Sequence, residues 1–217
     1  MIVTIDGPAG SGKSSAARQL AKRLGFRFLD TGAMYRAVAL AGKEQGVDWQ
    51  DHSQLTRIAL SLEIYLHDFH VFLDGRDVTD EIRTVEITQL TKHVADNPDT
   101  RRILVDAQRK LAQGLDVVTE GRDQATVAFP QAECKIFLTA GETVRAQRRF
   151  LDLTTRGERV TLESVLANQS RRDQEDEERV IGGLRMAPDS ILVNTDGLTQ
   201  DQVVETLEKL VRSKMPG

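Results

Sequence analysis

The stretch Ile2-Val3-Thr4-Ile5-Asp6-Gly7-Pro8-Ala9-Gly10-Ser11-Gly12-Lys13-Ser14-Ser15 decides the fold. It opens as a β-branched run that ends on a carboxylate. Gly7, Gly12, Lys13 and Ser14 then meet the spacing G-x-x-x-x-G-K-[ST], in which backbone N–H groups wrap a phosphate chain. Behind the loop, Ala16, Ala17, Leu20, Ala21 and Leu24 recur at helical spacing, Lys22 and Arg23 fall in the last turn, and Gly25 marks the stop. The loop therefore sits at a helix N-terminus, which carries roughly half a positive charge and unpaired N–H donors. Gly7, Pro8, Ala9, Gly10, Ser11, Gly12, Lys13, Ser14 and Ser15 are the candidate nucleotide-binding residues. Lys13 is expected at the β- and γ-phosphates, and the Ser14 hydroxyl at Mg²⁺.

Further β-rich runs follow at Phe26 to Asp30, Val117 to Glu120, Lys135 to Thr139 and Ile191 to Asn194, separated by helical patterns. Strands alternating with helices predict an α/β fold of three layers, a five-stranded parallel sheet with helices on both faces. Thr199 and Gln202 form a capping box for a last helix with Val203, Val204, Leu207, Leu210 and Val211 on its apolar face. One region breaks the rhythm. LEIYLHDFHVFLDGRDV, residues 62–78, alternates in short runs around His67-Asp68-Phe69 and Asp74-Gly75 and predicts a three-stranded antiparallel meander. Two helices are expected next, at about Glu81 to Asp96 and Asp99 to Gln113, divided by Asn97-Pro98. The expected organisation is a core of residues 1–61 and 97–217, with a helical lid at about 150–180 and an acceptor-side insert over 62–96.

With 217 residues, 40% of them hydrophobic, one domain with an appendage can bury a proper core. The net charge of −4 gives no overall attraction to nucleic acid or to an anionic membrane, and neither is an expected partner. No apolar run approaches the ~18 residues of a membrane span, and the first strand starts at residue 2. A cytoplasmic monomer acting on small molecules is the expectation. Cys134 is the only cysteine and opens an apolar run, so it reads as a core thiol. The basic residues are skewed: 21 arginines to 8 lysines overall, and 13 to 2 between Arg101 and Arg185. Arginine suits bidentate phosphate contacts, so the middle of the chain is read as gripping a second anionic ligand.

Three stretches could do this. Asp30-Thr31-Gly32-Ala33-Met34-Tyr35-Arg36 lies where the second strand turns into a helix, with Thr31 as a possible cap and Arg36 as an anion clamp. Glu120-Gly121-Arg122-Asp123 ends the third strand: Arg122 can hold a phosphate, and either acid can complete the shell of Mg²⁺. In Arg171-Arg172-Asp173-Gln174-Glu175-Asp176-Glu177-Glu178-Arg179, helical spacing puts Arg172, Asp176 and Arg179 on one face, with Asp173 beside it. Arg148 and Arg149 end another basic helix, and Thr155-Arg156-Gly157-Glu158-Arg159 reads as the loop between the two. Two arginine-bearing helices joined by a loop are expected to fold over bound phosphates as a lid. The residues alone leave open a kinase for another acceptor, or a nucleotide-dependent switch, although no N-K-x-D guanine-reading motif occurs.

GPAGSGKSS, DTGAMYRAVAL, DVTDEIRT, VADNPDTRRILVDAQR, EGRDQATVAFP, KIFLTAGETVRAQRR, RRDQEDEER and APDSILVNTDGLT occur in an order that resembles the bacterial cytidylate kinases over nearly the whole chain. The resemblance implies a nucleoside-monophosphate-kinase fold and phosphoryl transfer from ATP to CMP and dCMP. It places Arg36, Arg122 and Arg179 at the CMP phosphate with Thr31 nearby, Tyr35, Arg172 and Asp176 on the sugar side, and Arg101 and Asp123 on the cytosine side. Lys13, Arg122, Arg172 and Arg179 are the catalytic candidates, and Arg148 joins the nucleotide-binding loop. The chain departs from the family pattern at Lys92, where a serine is usual, at Gln124-Ala125 after Gly-Arg-Asp, and at Gly182-Gly183-Leu184, where Ala-Pro-Leu is usual.

Overall fold

The structure, a computed structural model, describes residues 1–67, 69–155 and 157–215. Asp68 of the expected meander turn and Arg156 of the expected lid loop lie outside the described residues. The chain divides into two compact units, Met1–Phe28 with Leu115–Gly217, and Leu29–Gly114.

In the first unit, β1 (Ile2–Asp6) pairs in parallel with β6 (Val117–Gly121) and β7 (Cys134–Thr139), and β7 with β8 (Ile191–Asn194). With β2 (Arg27–Asp30), where the boundary between the units falls, the five-stranded order is β2-β6-β1-β7-β8. The β-branched and aliphatic run of β1 is buried because strands flank it on both sides. α1 (Lys13–Leu24) and α8 (Gln200–Arg212) pack their apolar stripes onto this sheet: Ala17, Leu20, Val204, Leu207 and Val211 close on Val3, Ile5, Val118, Ile136 and Leu138. The Thr199–Gln202 capping box is present as expected. Cys134 lies in this core, where burial pushes its thiol up to about 11. The second strand starts one residue later than expected, because Gly25 turns left-handed (φ 70°) and directs the Phe26 N–H back to the Ala21 carbonyl at 2.9 Å.

Register decides where chemistry can sit. Asp6 stands opposite Gly121 on one side and Phe137 on the other, so β1, β6 and β7 run out of sheet together at their carboxyl ends. That is where open α/β sheets place ligands. α6 (Glu142–Thr155) and α7 (Leu162–Glu178) form a small apolar cluster of their own around Ala146, Leu153 and Val165. α6 does not end at Arg148-Arg149 but continues to Thr155, because Phe150 and Leu153 extend its apolar stripe into this cluster.

The second unit holds α2 (Thr31–Glu44), α3 (His52–Ser61), the antiparallel sheet β3 (Ile64–His67), β4 (His70–Leu73) and β5 (Arg76–Asp77), then α4 (Val85–Asp96) and α5 (Pro98–Ala112). The three strands fall within the expected meander, with Tyr65 opposite Phe72 and Phe72 opposite Asp77. The helix expected from Glu81 comes in two pieces, a 3₁₀ turn Glu81–Arg83 and α4, because the Thr84 hydroxyl accepts the Ile87 N–H and restarts the chain. Asn97 caps α5, accepting from Asp99 and Thr100, with Pro98 in the first turn. Thr31 is not the cap of α2. Asp30 is: its Oδ1 accepts the Ala33 N–H at 2.9 Å, and Thr31 becomes the first helical residue. The carboxylate wins because the same group also neutralises Arg36.

Candidate functional site

The loop between β1 and α1 is shaped by contacts that exclude side chains. A Cβ on Gly7 would stand 2.0 Å from the Leu138 carbonyl oxygen, so only glycine lets the chain leave β1 there. Gly12 takes the N-cap position of α1 at φ 89°, and no side chain caps the helix. Gly12 offers the first turn of α1 no side-chain cap, the condition in which a helix N-terminus receives an anion. Lys13 lies buried and folds its ammonium onto the loop itself, donating to the Pro8 carbonyl at 2.7 Å. Burial, then the Arg122 charge, lowers its pKa to about 7 against the opposing pull of Glu120, Asp176 and Asp6. An anion brought to this ammonium would favour its charged form.

Ser14 Oγ donates to Glu120 Oε1 at 2.7 Å, so the hydroxyl of the loop motif and the carboxylate at the end of β6 form one pair of oxygens. Hard oxygens in ones and twos, completed by phosphate and water, are what Mg²⁺ takes. No cluster of three or more His, Cys, Asp or Glu that could hold a metal stands among the described residues. Asp123 is buried at the start of the π turn Gln124–Ala128. Two of the departures from the family pattern are structural here. Gln124 Oε1 accepts from Thr119 at 2.8 Å inside the protein, and the Gln124 and Ala125 N–H groups both donate to Asp6, at 2.9 and 2.7 Å. Burial outweighs those two bonds and raises the Asp6 carboxyl to about 6.

The arginines converge on one acid. Asp176 Oδ2 accepts from Arg122 Nε at 2.7 Å and Oδ1 from Arg179 Nη1 at 3.0 Å. Although burial acts against its charge, the Arg122, Arg172 and Arg179 cations together hold the Asp176 carboxyl down at about 2. Asp176 in turn keeps buried Arg122 firmly protonated despite desolvation. Arg179 is the residue that ends α7. The chain folds back immediately after it: Leu184 N–H reaches the Asp176 carbonyl at 2.7 Å, and a Cβ on Gly183 would meet the Arg179 carbonyl at 2.5 Å. The third departure, Gly182-Gly183, is thus the turn that lets Asp176 and Arg179 face Arg122.

The first unit brings Lys13, Ser14, Glu120, Arg122, Asp176 and Arg179 into one electrostatic cluster, with the Arg172 charge acting on it. Arg148 donates to Thr195 through both Nη atoms, to Oγ1 at 2.9 Å and to the carbonyl at 2.8 Å, and its guanidinium lies 4.0 Å from where a Gly12 Cβ would be. Sequence reasoning missed Asp6, Arg145 and Thr195 and left Asp173 without a role. A carboxylate closing an otherwise apolar strand just before the loop was the available signal for Asp6.

The second unit carries the remaining predicted residues. Arg36 Nη2 lies 3.3 Å from both Asp30 oxygens, and Arg83 Nη2 lies 3.8 Å from Oδ2 of the same carboxylate. Thr31 and Tyr35 are buried in α2, and Arg101 stacks its guanidinium 5.5 Å from the Tyr35 ring centroid while donating to the Ala95 carbonyl. Lys92 stands exposed on α4.

The family model for cytidylate kinase matches residues 3–213. The chain is 49% identical over 212 residues to a cytidylate kinase of Rhodopirellula baltica, covering 98% of this chain and 93% of the relative. It is 42% identical over 215 residues to the cytidylate kinase of Caldanaerobacter subterraneus subsp. tengcongensis, covering 99% and 96%. Among solved structures, a shikimate kinase from Bacteroides thetaiotaomicron superposes with a TM-score of 0.50 at 11% identity over 98% of each chain, a likeness of fold alone.

Proposed function

This chain belongs to the cytidylate kinase family, and from that premise we propose that it transfers the γ-phosphoryl group of ATP to CMP or dCMP, giving ADP and CDP or dCDP. The observation that carries the proposal is the cluster at the ends of β1 and β6: a phosphate loop with a buried lysine, and beside it two arginines sharing one carboxylate. A loop of this kind receives a donor, and the arginine cluster supplies the charge that a second phosphate compound needs.

The acceptor phosphate has a second pKa near 6, so at neutral pH its oxygen is already mostly anionic and no general base is required. What the protein must do is bring two polyanions into line and neutralise the charge that spreads over the transferred group. Lys13 and the N–H groups of α1 hold the donor phosphates. Arg122 and Arg179, fixed by Asp176, bring positive charge to the acceptor phosphate and the phosphoryl group in flight. Thr31, Tyr35, Arg36, Arg101, Asp123 and Arg172 are assigned to CMP by family resemblance. Ser14 and Glu120 would hold Mg²⁺, which when bound neutralises the β- and γ-phosphate oxygens. We further assign residues 62–96 to an acceptor-side insert and 150–180 to a lid whose closure excludes water, so that water does not become the acceptor.

The test is ADP release with Mg-ATP against CMP, dCMP, UMP, AMP, GMP and shikimate. The expected result is a preference for CMP and dCMP of tenfold or more, about 1.4 kcal/mol of transition-state discrimination. Turnover of another acceptor in preference to CMP would overturn the assignment and turn attention to Lys92, and ADP release with no acceptor preference would overturn the kinase reading.

A further inference from the structure

Outside the arginine cluster, one buried ion pair has no partner in the chemistry above and yet touches the phosphate loop. Arg145 of α6 pairs through Nη1 with Asp173 Oδ2 of α7, and both side chains are almost fully buried, 9% and 13% exposed. The same Nη1 donates to the Ala9 carbonyl at 2.9 Å, Arg145 Nε donates to the Ala140 carbonyl at 3.0 Å, and Asp173 Oδ1 accepts the Ala9 N–H at 3.3 Å. The pair thus grips a loop residue by both of its backbone polar atoms. A second contact binds the two helices at the same level: Gln169 Nε2 donates to the Glu142 carbonyl at 3.0 Å, and Ser170 pairs with the Glu142 side chain. The fit is close, since a Cβ on Gly10 would meet Arg145 at 3.1 Å and Gln169 Oε1 at 3.2 Å.

The consequence follows from peptide geometry. Ala9 N–H belongs to the peptide shared with Pro8, and Ala9 C=O to the peptide shared with Gly10, so two successive peptide planes are held. In a trans peptide the N–H points opposite to the C=O, and no peptide bond is cis among the described residues. With its carbonyl on Arg145, the Ala9–Gly10 peptide directs the Gly10 N–H away from α6. Gly10, at φ 76°, would otherwise let that peptide rotate and turn a carbonyl toward the side where an anion is to be held. One turn further along α7, Asp176 carries Arg122 and Arg179. α7 is therefore fastened at Asp173 to the donor loop and at Asp176 to the end of β6.

We propose that Arg145 and Asp173 are positioning residues that fix the phosphate loop at Ala9 and set its register against the arginine-bearing turn of α7. This rests on the proposed phosphoryl transfer. The pair touches neither substrate, and its work is alignment of donor and acceptor phosphates. Misalignment of about 1 Å can cost on the order of a hundredfold in rate without loss of binding.

The experiment compares Asp173→Asn and Arg145→Lys with wild type in steady-state kinetics, and measures amide exchange at Ala9 and Gly10 by NMR. Asp173→Asn keeps shape and one acceptor, so folding is expected to survive. The expected outcome is kcat lowered about 10- to 100-fold with KM for CMP within about threefold, because Asp176 still holds Arg122 and Arg179. ADP release without CMP should rise relative to transfer, and amide exchange at Ala9 should become faster. Unchanged kcat with only a lowered melting temperature would reduce the pair to a structural salt bridge and overturn the proposal. So would a rise in KM alone. If the wild-type protein turned over no CMP, the functional reading would fail, and unchanged exchange at Ala9 and Gly10 in both variants would separately overturn the loop-fixing role. Should Asp173→Asn not fold, Arg145→Lys, which retains the charge and removes the fork, decides the same question.

Discussion

Replacing Asp176 by asparagine tests whether the arginine cluster is held together by one charge. The carboxyl sits at about 2 instead of 3.8, because the Arg122, Arg172 and Arg179 cations outweigh the burial that opposes its ionisation. At 1.36 kcal/mol per pKa unit this is about 2 kcal/mol of preference for the ionised form in the folded protein. A depressed carboxylate pKa contributes stability that is full above the unfolded value and is lost as pH falls through the folded one. Asp176→Asn should therefore be about 2 kcal/mol less stable than wild type at pH 7, and the gap should close between roughly pH 4 and pH 2. For a chain of this size that is a melting-temperature difference of roughly 4–8 °C. The assay is thermal or urea denaturation of both proteins across that pH range, with and without sulfate. Sulfate should narrow the gap, because an anion bound among the freed guanidinium groups replaces part of the missing charge. Equal stability at pH 7, or a gap that persists unchanged at pH 2, would refute the reasoning.

Three further outcomes follow from the geometry. Asp6 has the opposite sign: its carboxyl is raised to about 6, so the folded protein takes up its proton first, and wild type should gain about 2 kcal/mol relative to Asp6→Asn as pH falls from 6 to 4; denaturation series that stay parallel over that range would contradict this. Gly7→Ala places a Cβ 2.0 Å from the Leu138 carbonyl, so the loop must leave β7, and loss of nucleotide binding together with roughly 3 kcal/mol or more of stability is expected from calorimetry and denaturation. Arg179→Ala removes a cation from Asp176 but no contact from the loop around Lys13, so under the proposed role kcat should fall on the order of a hundredfold while ATP affinity, measured by titration calorimetry, changes less than about threefold.

The sheet and the loop were legible because both are local. Five apolar runs of strand length, and a glycine and lysine spacing that admits one backbone path, need no tertiary information to be read. The cap of α2 was not: Asp30 and Thr31 are both good caps by type, and the choice falls to Asp30 because Arg36, six residues on, comes back onto the same carboxylate. The site divides in the same way. Arg172, Asp176 and Arg179 could be placed on one helical face by counting, whereas Arg122, the distant partner of Asp176, is 54 residues away just past β6, and the partner of Asp173 is 28 residues away on α6. A helical wheel shows which residues share a face, and it carries no information about what that face meets.

The departures from the family pattern show how far such a distinction reaches. Gln124-Ala125 and Gly182-Gly183 both fall beside arginines proposed to take part in the chemistry, and from sequence alone each could signal a changed pocket. In the structure both face inward. The Gln124 side chain satisfies Thr119, the two N–H groups at 124 and 125 satisfy Asp6, and Gly183 makes room for the carbonyl of Arg179. Buried polar groups must be paired and a tight turn must be cleared whatever the ligand, so these substitutions answer to packing and leave Arg122 and Arg179 on Asp176. Lys92 has no such obligation: it is exposed on α4 and shapes neither cluster. Under the proposed function, the question of which base the acceptor carries therefore narrows from three positions to one, while the residues proposed for the phosphate chemistry are held in place by their contacts with one another.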